Sequence, residues 1–369
     1  MSQVVYISVE PSHQTTVEGT TTNTTTPTHL HWIHPHLNET TDATKGRQFR
    51  ASHLIAQGAC LLIDRPYAIL PVVDDPASND TLLCSNPACN QPAPCHRGGR
   101  SPCLNACVTD VVWCSAVCRD ADAARHAFEC TWLKRYAAPL RNKRSEYEFG
   151  MLWLIVRLLA TRQIEFHAQH AQHHNHPLSW DTSAANHRWK HGWAAIDALC
   201  GSVDSWSHDQ VRSWMTLVKK YLPNSSVLPH GLTPDRVLHL VCQEEANSFG
   251  LYPRETGVFP LPDLPMGRGE QYAAAVYPTA AIMNHSCLPN VTHKPDEQGR
   301  MVFTASRDIL PGEECCIAYF DLSHYTDLSA RRDHLRKSFR FVCHCERCVS
   351  EEEPVEETLE WTAMPLMDI

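Results

Sequence analysis

Apolar and polar positions divide the chain into stretches of different character. Residues 1–44 are rich in Thr, Ser, His and Asn with little periodic apolar content, which predicts a disordered or loosely attached segment. Beyond them, residues 49–51 and 59–63 predict short strands around a Gln57-Gly58 turn.

Helical periodicity then dominates from about residue 131 to 220, most clearly over 146–166 and 209–221. A second strand-rich region is predicted from about 235 to 320, and the glutamate-rich residues 351–369 predict a solvated acidic tail. The longest apolar stretch, 149–160, contains Arg157 and is too short to cross a bilayer, so it predicts a buried helix and no membrane association.

Composition limits the class of protein. The 369 residues are 43% hydrophobic and 20% charged, as in soluble globular proteins, and the net charge of −9 argues against general binding to nucleic-acid phosphates. The N-terminus lacks the basic and apolar regions of a secretory signal, so we expect an intracellular protein of the nucleus, the cytoplasm or both. Seventeen cysteines in a reducing compartment predict metal ligands and not disulfides.

Potential metal ligands between residues 84 and 130 fall into four short-spaced pairs. The pairs are Cys84 with Cys89, Cys103 with Cys107, Cys114 with Cys118, and His126 with Cys130. This spacing lets both members of a pair turn toward one ion, and eight ligands are enough for two tetrahedral zinc sites. Cys95 lies in the same stretch, so the spacing leaves open whether Cys89 or Cys95 completes the first site.

Three later strings combine turn, strand and ligand signals. Residues 284–290 read NHSCLPN, which is typical of a tight functional loop. Residues 312–321 read GEECCIAYFD and predict a turn entering a short strand that ends in an aromatic residue. Residues 341–348 supply Cys343, Cys345 and Cys348, one ligand short of a tetrahedral site, and Cys287 is the candidate fourth.

The first cluster, with Trp113 before Cys114, resembles a MYND zinc finger, a family that mostly binds proteins, often through Pro-rich peptides. This resemblance implies interleaved sites, in which alternate pairs share an ion. The implied sets are Cys84, Cys89, Cys114 and Cys118 for one zinc, and Cys103, Cys107, His126 and Cys130 for the other. The family usually has two residues inside each of its first two pairs, where this chain has four and three.

The strings at 284–290 and 312–321 resemble the two most specific motifs of the SET domain, the fold of protein lysine methyltransferases, and 341–348 resembles its post-SET zinc segment. A SET domain split by a MYND finger and a helical insert is the layout of the SMYD family, which the chain resembles over about 45–350. The implied fold is α+β: a β-rich SET core with knot-like closure, split by the inserted finger and the helical insert. On this resemblance we expect the chain to lack the long C-terminal helical domain that many members have.

The implied boundaries are a SET N-terminal part at 45–82, the finger at 84–130, a helical insert at 131–232, a SET catalytic part at 233–335, a post-SET zinc segment at 336–350 and the tail at 351–369.

The resemblance also implies roles for single residues. The implied S-adenosylmethionine contacts are Gly46, Arg47, Asn247, Asn284, His285 and Phe341. Tyr319 is the implied catalytic residue, Phe339 would wall a lysine channel, and Asn290 would close the cofactor loop. With Cys287 and the three late cysteines as a third site, three zinc ions are expected. The implied partner is a protein with an accessible lysine, such as a histone tail.

Two departures from the family pattern keep a second function open. The cofactor loop reads Gly46-Arg47-Gln48 where the family has Gly-x-Gly, and the segment from Asn247 to Asn284 is longer than the family pattern. The first departure favours a catalytically weak adaptor that recruits partners through the finger. The intact Tyr319 and the NHSC string favour the methyltransferase. The net negative charge of the chain disfavours a third function, zinc-dependent binding of nucleic acid.

Overall fold

The computed structural model describes residues 31–72, 82–93, 100–172, 190–222, 232–258 and 267–352. The helices in these residues are α1 (Ala116–Lys143), α2 (Glu146–Gln172), α3 (Gly192–Asp197), α4 (His208–Tyr221), α5 (Pro234–Asn247), α6 (Leu328–Ser338) and α7 (Glu346–Ser350). The strands are β1 (Trp32–Ile33), β2 (Leu37–Asp42), β3 (Gly46–Ala51), β4 (Cys60–Asp64), β5 (Ala68–Pro71), β6 (Ser101–Pro102), β7 (Val112–Trp113), β8 (Ser248–Leu251), β9 (Ala273–Val276), β10 (Asn284–His285), β11 (Val291–Pro295), β12 (Met301–Ala305) and β13 (Cys316–Ile317).

The strands form several small sheets, most of which surround one apolar core. An antiparallel sheet has the order β1-β4-β12-β11, and a second has the order β5-β9-β8. β2 and β3 form a hairpin, and β10 pairs in parallel with β13. Fully buried side chains such as Leu37, Leu61 and Phe303 fill the space between the sheets. The short strands at 49–51 and 59–63 are thus confirmed within β3 and β4.

Helices α1, α2, α4 and α5 enclose a second core. Residues 149–160 of α2 are almost all buried, as their apolar run predicts, and the ring of Phe149 stacks on Trp132 of α1. The helix predicted over 146–166 is therefore confirmed, with an end six residues later at Gln172. The helix predicted over 209–221 corresponds to α4, which Ser207 caps by accepting from the Gln210 N–H (3.3 Å).

The prediction of disorder over residues 1–44 is wrong for residues 32–33 and 37–42, which form β1 and β2. β2 has a single fully buried residue, Leu37, but it pairs with β3 along its whole length. Backbone pairing and β-branched threonines stabilise such a strand without an apolar pattern, so periodicity missed it. Residues 1–30 lie outside the described part of the chain.

The strand-rich region predicted from about residue 235 is wrong at its start, because α5 occupies residues 234–247. Thr233 caps this helix, Pro234 occupies its first turn, and Val237, Leu240 and Val241 are buried. That spacing of buried residues is helical, and Pro at the first turn fits a helix start. Strands begin only at Ser248.

Candidate active site and metal centres

Three groups of cysteine and histidine side chains converge in the described residues. Within each group the ligand atoms lie within 4.8 Å of one another. The groups are Cys84, Cys89, Cys114 and Cys118; Cys103, Cys107, His126 and Cys130; and Cys287, Cys343, Cys345 and Cys348. These are the sets that the sequence implied, with Cys89 in the first group. Cys95 lies outside the described residues.

The sulfur spacings fit a tetrahedral metal site. Cys89 and Cys114 Sγ are 3.8 Å apart, Cys103 and Cys130 3.6 Å, and Cys287 and Cys348 3.6 Å. Four sulfurs about 2.3 Å from a zinc ion would be separated by about 3.8 Å. All described cysteines are free thiols. The geometry therefore fits three bound metal ions better than disulfides, whose sulfurs lie about 2 Å apart.

The second cluster is anchored by a buried charge network. His126 Nε2 faces Cys103 Sγ (3.2 Å), and Nδ1 lies 3.0 Å from Glu129 Oε1. Glu129 Oε2 accepts from Trp153 Nε1 (3.0 Å) and from Arg157 Nε (3.0 Å). Burial alone would raise the pKa of Glu129, but the charges of Arg125 and Arg157 hold it well below the usual value. An ionised carboxylate accepts a hydrogen bond from Nδ1–H and so keeps the ring proton on Nδ1. The unprotonated Nε2 can then bind a metal ion.

The third cluster lies beside the 284–290 loop. His285 Nδ1 accepts the backbone N–H of Tyr319 (3.1 Å), and Nε2 lies 3.3 Å from Cys287 Sγ. Burial lowers the pKa of His285 to about 3, so the ring is neutral. Because Nδ1 is an acceptor, the ring proton is on Nε2 and points at the sulfur. One imidazole therefore connects this cluster to Tyr319.

Asn290 holds the two motif segments together. Its Nδ2 donates to Glu313 Oε1 (3.1 Å) and to the carbonyl of Glu314 (2.8 Å), and its Oδ1 accepts from Cys316 N–H (2.8 Å). Beside it, β10 and β13 pair in parallel over two residues, Asn284 with Cys316 and His285 with Ile317. These bonds fix the position of Tyr319 just after β13.

Tyr319 lies in a small cavity. The cavity of about 110 Å³ is lined by Ala246, Asn247, Ser248, Phe249, Gly250, Arg268, Ala281, Met283, His293, Ile317, Ala318, Tyr319 and Phe339. The Tyr319 hydroxyl donates to the Met283 carbonyl (3.0 Å), and burial raises its pKa well above the usual value, so the phenol is neutral. The ring packs against Phe339 at 5.1 Å. The arrangement can hold a narrow side chain against a neutral hydroxyl.

The candidate cofactor residues lie around neighbouring segments. Asn284 Nδ2 donates to the Arg47 carbonyl (3.3 Å) and to Glu314 Oε1 (2.9 Å). Arg47 donates to the Ala198 carbonyl (3.0 Å), and Asn247 donates to the Cys200 carbonyl (2.6 Å). Asn284 thus contacts Arg47, and both Arg47 and Asn247 contact the same turn at 198–200. These three candidates come from distant parts of the sequence.

The other two candidates lie at the edges of this arrangement. Gly46 adopts a left-handed backbone (φ 74°) in the turn between β2 and β3, where an added Cβ would meet no described atom within 4 Å. Phe341 packs against His285 at 6.0 Å and against Tyr319 at 6.3 Å. Phe341 is thus next to the cavity, and Gly46 directly precedes Arg47 at the start of β3.

Sequence reasoning missed several residues of the site. Glu314 connects Asn284 with Lys45, whose Nζ lies 2.6 Å from it. Arg268 and His293 line the cavity but match no motif. Glu129 lies between two predicted ligands, and a helical glutamate three residues after a ligand histidine is the signal that could have found it.

The chain is similar to known proteins over part of its length. Residues 158–320 match the family model described as SET domain. Over 119 residues the chain is 37% identical to the potential protein lysine methyltransferase SET6 of Saccharomyces cerevisiae, covering 32% of this chain and 29% of that protein. Over 83 residues it is 40% identical to the N-lysine methyltransferase SMYD2 of Homo sapiens, covering 22% and 18%. The chain thus spans less than a third of the length of these relatives.

Among solved structures, the SET domain of LSMT bound to lysine and AdoHcy aligns with 84% of this chain and 53% of its own, at 12% identity and a TM-score of 0.36. In the described residues, no helix has both the length and the apolar character needed to cross a bilayer.

Proposed function

We propose that the chain, which matches the SET-domain family model over residues 158–320 and is similar to SMYD2 over 83 residues, is a SMYD-like protein-lysine N-methyltransferase that uses S-adenosylmethionine. The observation that carries this proposal is the cavity in which Tyr319, Asn247 and Phe339 meet beside the paired strands β10 and β13. The cavity is small, and part of its lining consists of aromatic and small side chains, as a channel for a lysine side chain requires.

The residues of the cavity suit methyl transfer to an amine. When bound, S-adenosylmethionine supplies a methyl group on a positively charged sulfur. A lysine amine has an unperturbed pKa of about 10.4 and must lose its proton to act as a nucleophile. Burial among Phe249, Ala281 and Phe339 disfavours the charged amine. The neutral Tyr319 hydroxyl can then orient the amine, and holding the reactants in line supplies much of the rate acceleration.

The proposed roles follow the contacts described above. Gly46, Arg47, Asn247, Asn284, His285 and Phe341 bind the cofactor, and Tyr319 is the catalytic residue. The pairing of β10 with β13, held by Asn290, supports a knot-like closure of the SET core. The three ligand clusters would hold three zinc ions, two in a MYND finger at 84–130 and one in the post-SET segment at 336–350.

We propose the remaining layout on the same basis. SET parts at 45–82 and 233–335 flank the finger and a helical insert at 131–232, which contains α2 and α4. The tail at 351–369 lies almost entirely outside the described residues. The proposed substrate is a protein with an accessible lysine, such as a histone tail, with Pro-rich peptides as ligands of the finger and the nucleus or cytoplasm as the compartment.

One observation favours the second candidate, a catalytically weak adaptor. Gln48 stands where the family has a second glycine, and its buried side chain lies against Glu314, the residue that Asn284 also contacts. With the amide oriented to satisfy both groups, its nitrogen donates to Glu314 Oε1 (2.9 Å) and its oxygen accepts from Arg50 Nε (2.9 Å). This side chain occupies space beside the proposed cofactor residues.

Calorimetric titration of the zinc-loaded protein with S-adenosylmethionine tests the proposal. We expect saturable binding that is lost in Asn284→Ala, because that change removes the bonds to Arg47 and Glu314. The exposed Asn38 on β2 provides the control Asn38→Ala, which should bind normally. A well-folded wild type that does not bind the cofactor would refute the enzyme and favour the adaptor.

Replacement of Tyr319 tests the chemical step separately. Tyr319→Phe keeps the ring but removes the hydroxyl, so we expect cofactor binding to persist while methyl transfer to core histones or lysine peptides falls about 100-fold. Tyr325→Phe, which alters a tyrosine that stacks on His334 outside the cavity, should keep its activity. Unchanged transfer by Tyr319→Phe would remove Tyr319 from the proposed mechanism.

A further inference from the structure

The wall of the Tyr319 cavity carries a guanidinium group. Arg268 lies in the long segment between Asn247 and Asn284, and its Cζ is 3.7 Å from the centroid of the Tyr252 ring. Its backbone N–H donates to Asp321 Oδ2 (2.9 Å). Among the residues that the structure describes, no carboxylate forms an ion pair with the guanidinium. Its stacking on Tyr252 fixes the group in place and leaves its N–H donors available.

Asp321 is the acidic group that contacts the Arg268 backbone and acts on its charge. Its carboxylate already accepts from the Arg268 backbone and from the Ser323 N–H (3.0 Å) and hydroxyl (2.6 Å). These bonds hold the pKa of Asp321 below its usual value, against the effect of burial. The Asp321 charge therefore reduces the local positive potential but does not pair directly with the guanidinium.

The other titratable groups of the cavity are neutral. His293 is buried, and its Nδ1 has no hydrogen-bond partner in the described residues. Burial and the charge of Arg268 lower the pKa of His293 to about 3, and the same two causes lower the pKa of His334 nearby. Tyr319 is also neutral. The described lining of the cavity therefore presents one cation and no anion to an incoming lysine.

A cationic wall repels a protonated lysine and attracts a carboxylate. An arginine fork binds a carboxylate through two parallel N–H bonds, and partial burial strengthens such a bond relative to open solvent. On this basis we propose that Arg268 is a specificity-determining residue, which favours target lysines with an aspartate or glutamate close by in the substrate sequence. The inference rests on the proposed methyl transfer. It goes further by specifying that the preferred substrate carries negative charge beside its target lysine.

The inference can be tested with an oriented peptide library that has a fixed central lysine and randomised residues at the three positions on either side. Incubation with labelled S-adenosylmethionine and sequencing of the methylated fraction gives the preference at each position. We expect wild type to enrich acidic residues about tenfold at one or two positions, Arg268→Gln to lose this preference, and Arg268→Glu to prefer Lys or Arg there.

Arg254 provides a matched control. It is exposed, its backbone N–H donates to the Arg268 carbonyl (3.1 Å), and its side chain is not part of the cavity wall. Arg254→Glu should therefore keep the acidic preference of the wild type. Equal methylation of acidic and neutral peptides by wild type, or an acidic preference retained in Arg268→Gln, would overturn the inference while leaving the methyltransferase itself supported.

A binding assay separates the inference from the proposed function. Fluorescence anisotropy with labelled Ala-based peptides, one with Glu and one with Gln beside the lysine, requires no methyl transfer. If wild type binds the Glu peptide more tightly than the Gln peptide, and Arg268→Glu does not, the inference is supported even when no peptide is methylated. Equal binding of both peptides by wild type would overturn it.

Discussion

At the scale of single residues, the site depends on side chains that satisfy several partners at once. Asn290 makes three hydrogen bonds to residues 313–316, and His285 connects Tyr319 with Cys287. Each bond that a buried polar group loses costs about 1–3 kcal/mol, so such residues tolerate few substitutions. His293 differs, because it is buried with a nitrogen that has no hydrogen-bond partner among the described residues.

The buried His293 should make the stability of the protein depend on pH. Its folded pKa of about 3 is below the unfolded value of 6.5, so the unfolded chain takes up the proton first. The contribution of the neutral His293 ring to the free energy of unfolding is therefore complete above pH 6.5. It is lost as the pH falls toward 3. We expect the free energy of unfolding of His293→Leu, relative to wild type, to increase by about 1.4 kcal/mol per pH unit below 6.5.

Urea denaturation from pH 7.5 to 5 measures this difference. Thr304→Val, on the neighbouring strand β12, removes no titratable group and should shift stability equally at every pH. A His293→Leu difference that stays constant with pH would mean that the folded protein binds this proton as readily as the unfolded chain.

The sequence predicted some residues of the site because their patterns are local. Metal ligands follow one another at short spacing, and the 284–290 and 312–321 strings are contiguous, so these groups could be found without a structure. Arg268 and His293 could not, because folding brings them to Tyr319 from a segment without a motif and from the middle of a strand. The strand β2 was missed since its stability comes from pairing rather than burial.

At the scale of elements, helix α1 performs two tasks. Its first turns supply Cys118, His126 and Cys130 to two ligand clusters, while Glu129 faces α2. Arg157 of α2 binds Glu129 and also donates to the Ile69 carbonyl on β5. The second cluster is thus connected through two helices to the sheet that contains β8 and β9, next to the cavity.

Neutralising Glu129 should loosen the second metal site. In Glu129→Gln the buried Arg157 loses its countercharge and His126 loses the carboxylate that fixes its ring, so we expect one zinc of three to dissociate about 10- to 100-fold faster. Transfer of zinc to a chromophoric chelator gives the rate for each phase. Asp120→Asn, exposed on the same helix, should release zinc as wild type does. A uniform acceleration of all phases would indicate general unfolding and contradict this role.

At the scale of the whole molecule, the three clusters lie in different structural contexts. The first two take all their ligands from between residues 84 and 130, whereas the third joins the 284–290 loop to residues 343–348. The third cluster also lies within the core formed by Phe320, Leu322 and Leu335. Loss of its metal should therefore affect the Tyr319 cavity, while loss of the others should affect the segment at 84–130.

Metal analysis of purified protein should find three zinc ions per chain, and Cys287→Ser should retain two. We also expect weaker binding of S-adenosylmethionine in this variant, because His285 would lose its contact with the thiolate. Plasma mass spectrometry counts the metal. Cys60→Ser changes a cysteine outside all three clusters and should keep three ions. Three zinc ions in Cys287→Ser would exclude Cys287 as a ligand.

The separation within the third cluster also imposes an order of events during synthesis. Cys287 and Cys348 are 61 residues apart in the chain. At about 5–20 residues per second, the ribosome makes Cys348 about 3 to 12 seconds after Cys287. The early ligands at 84–130 can take up metal before this interval begins, whereas the thiol of Cys287 waits without its partners and is open to oxidation. Zinc supply late in translation would then decide how many chains become competent.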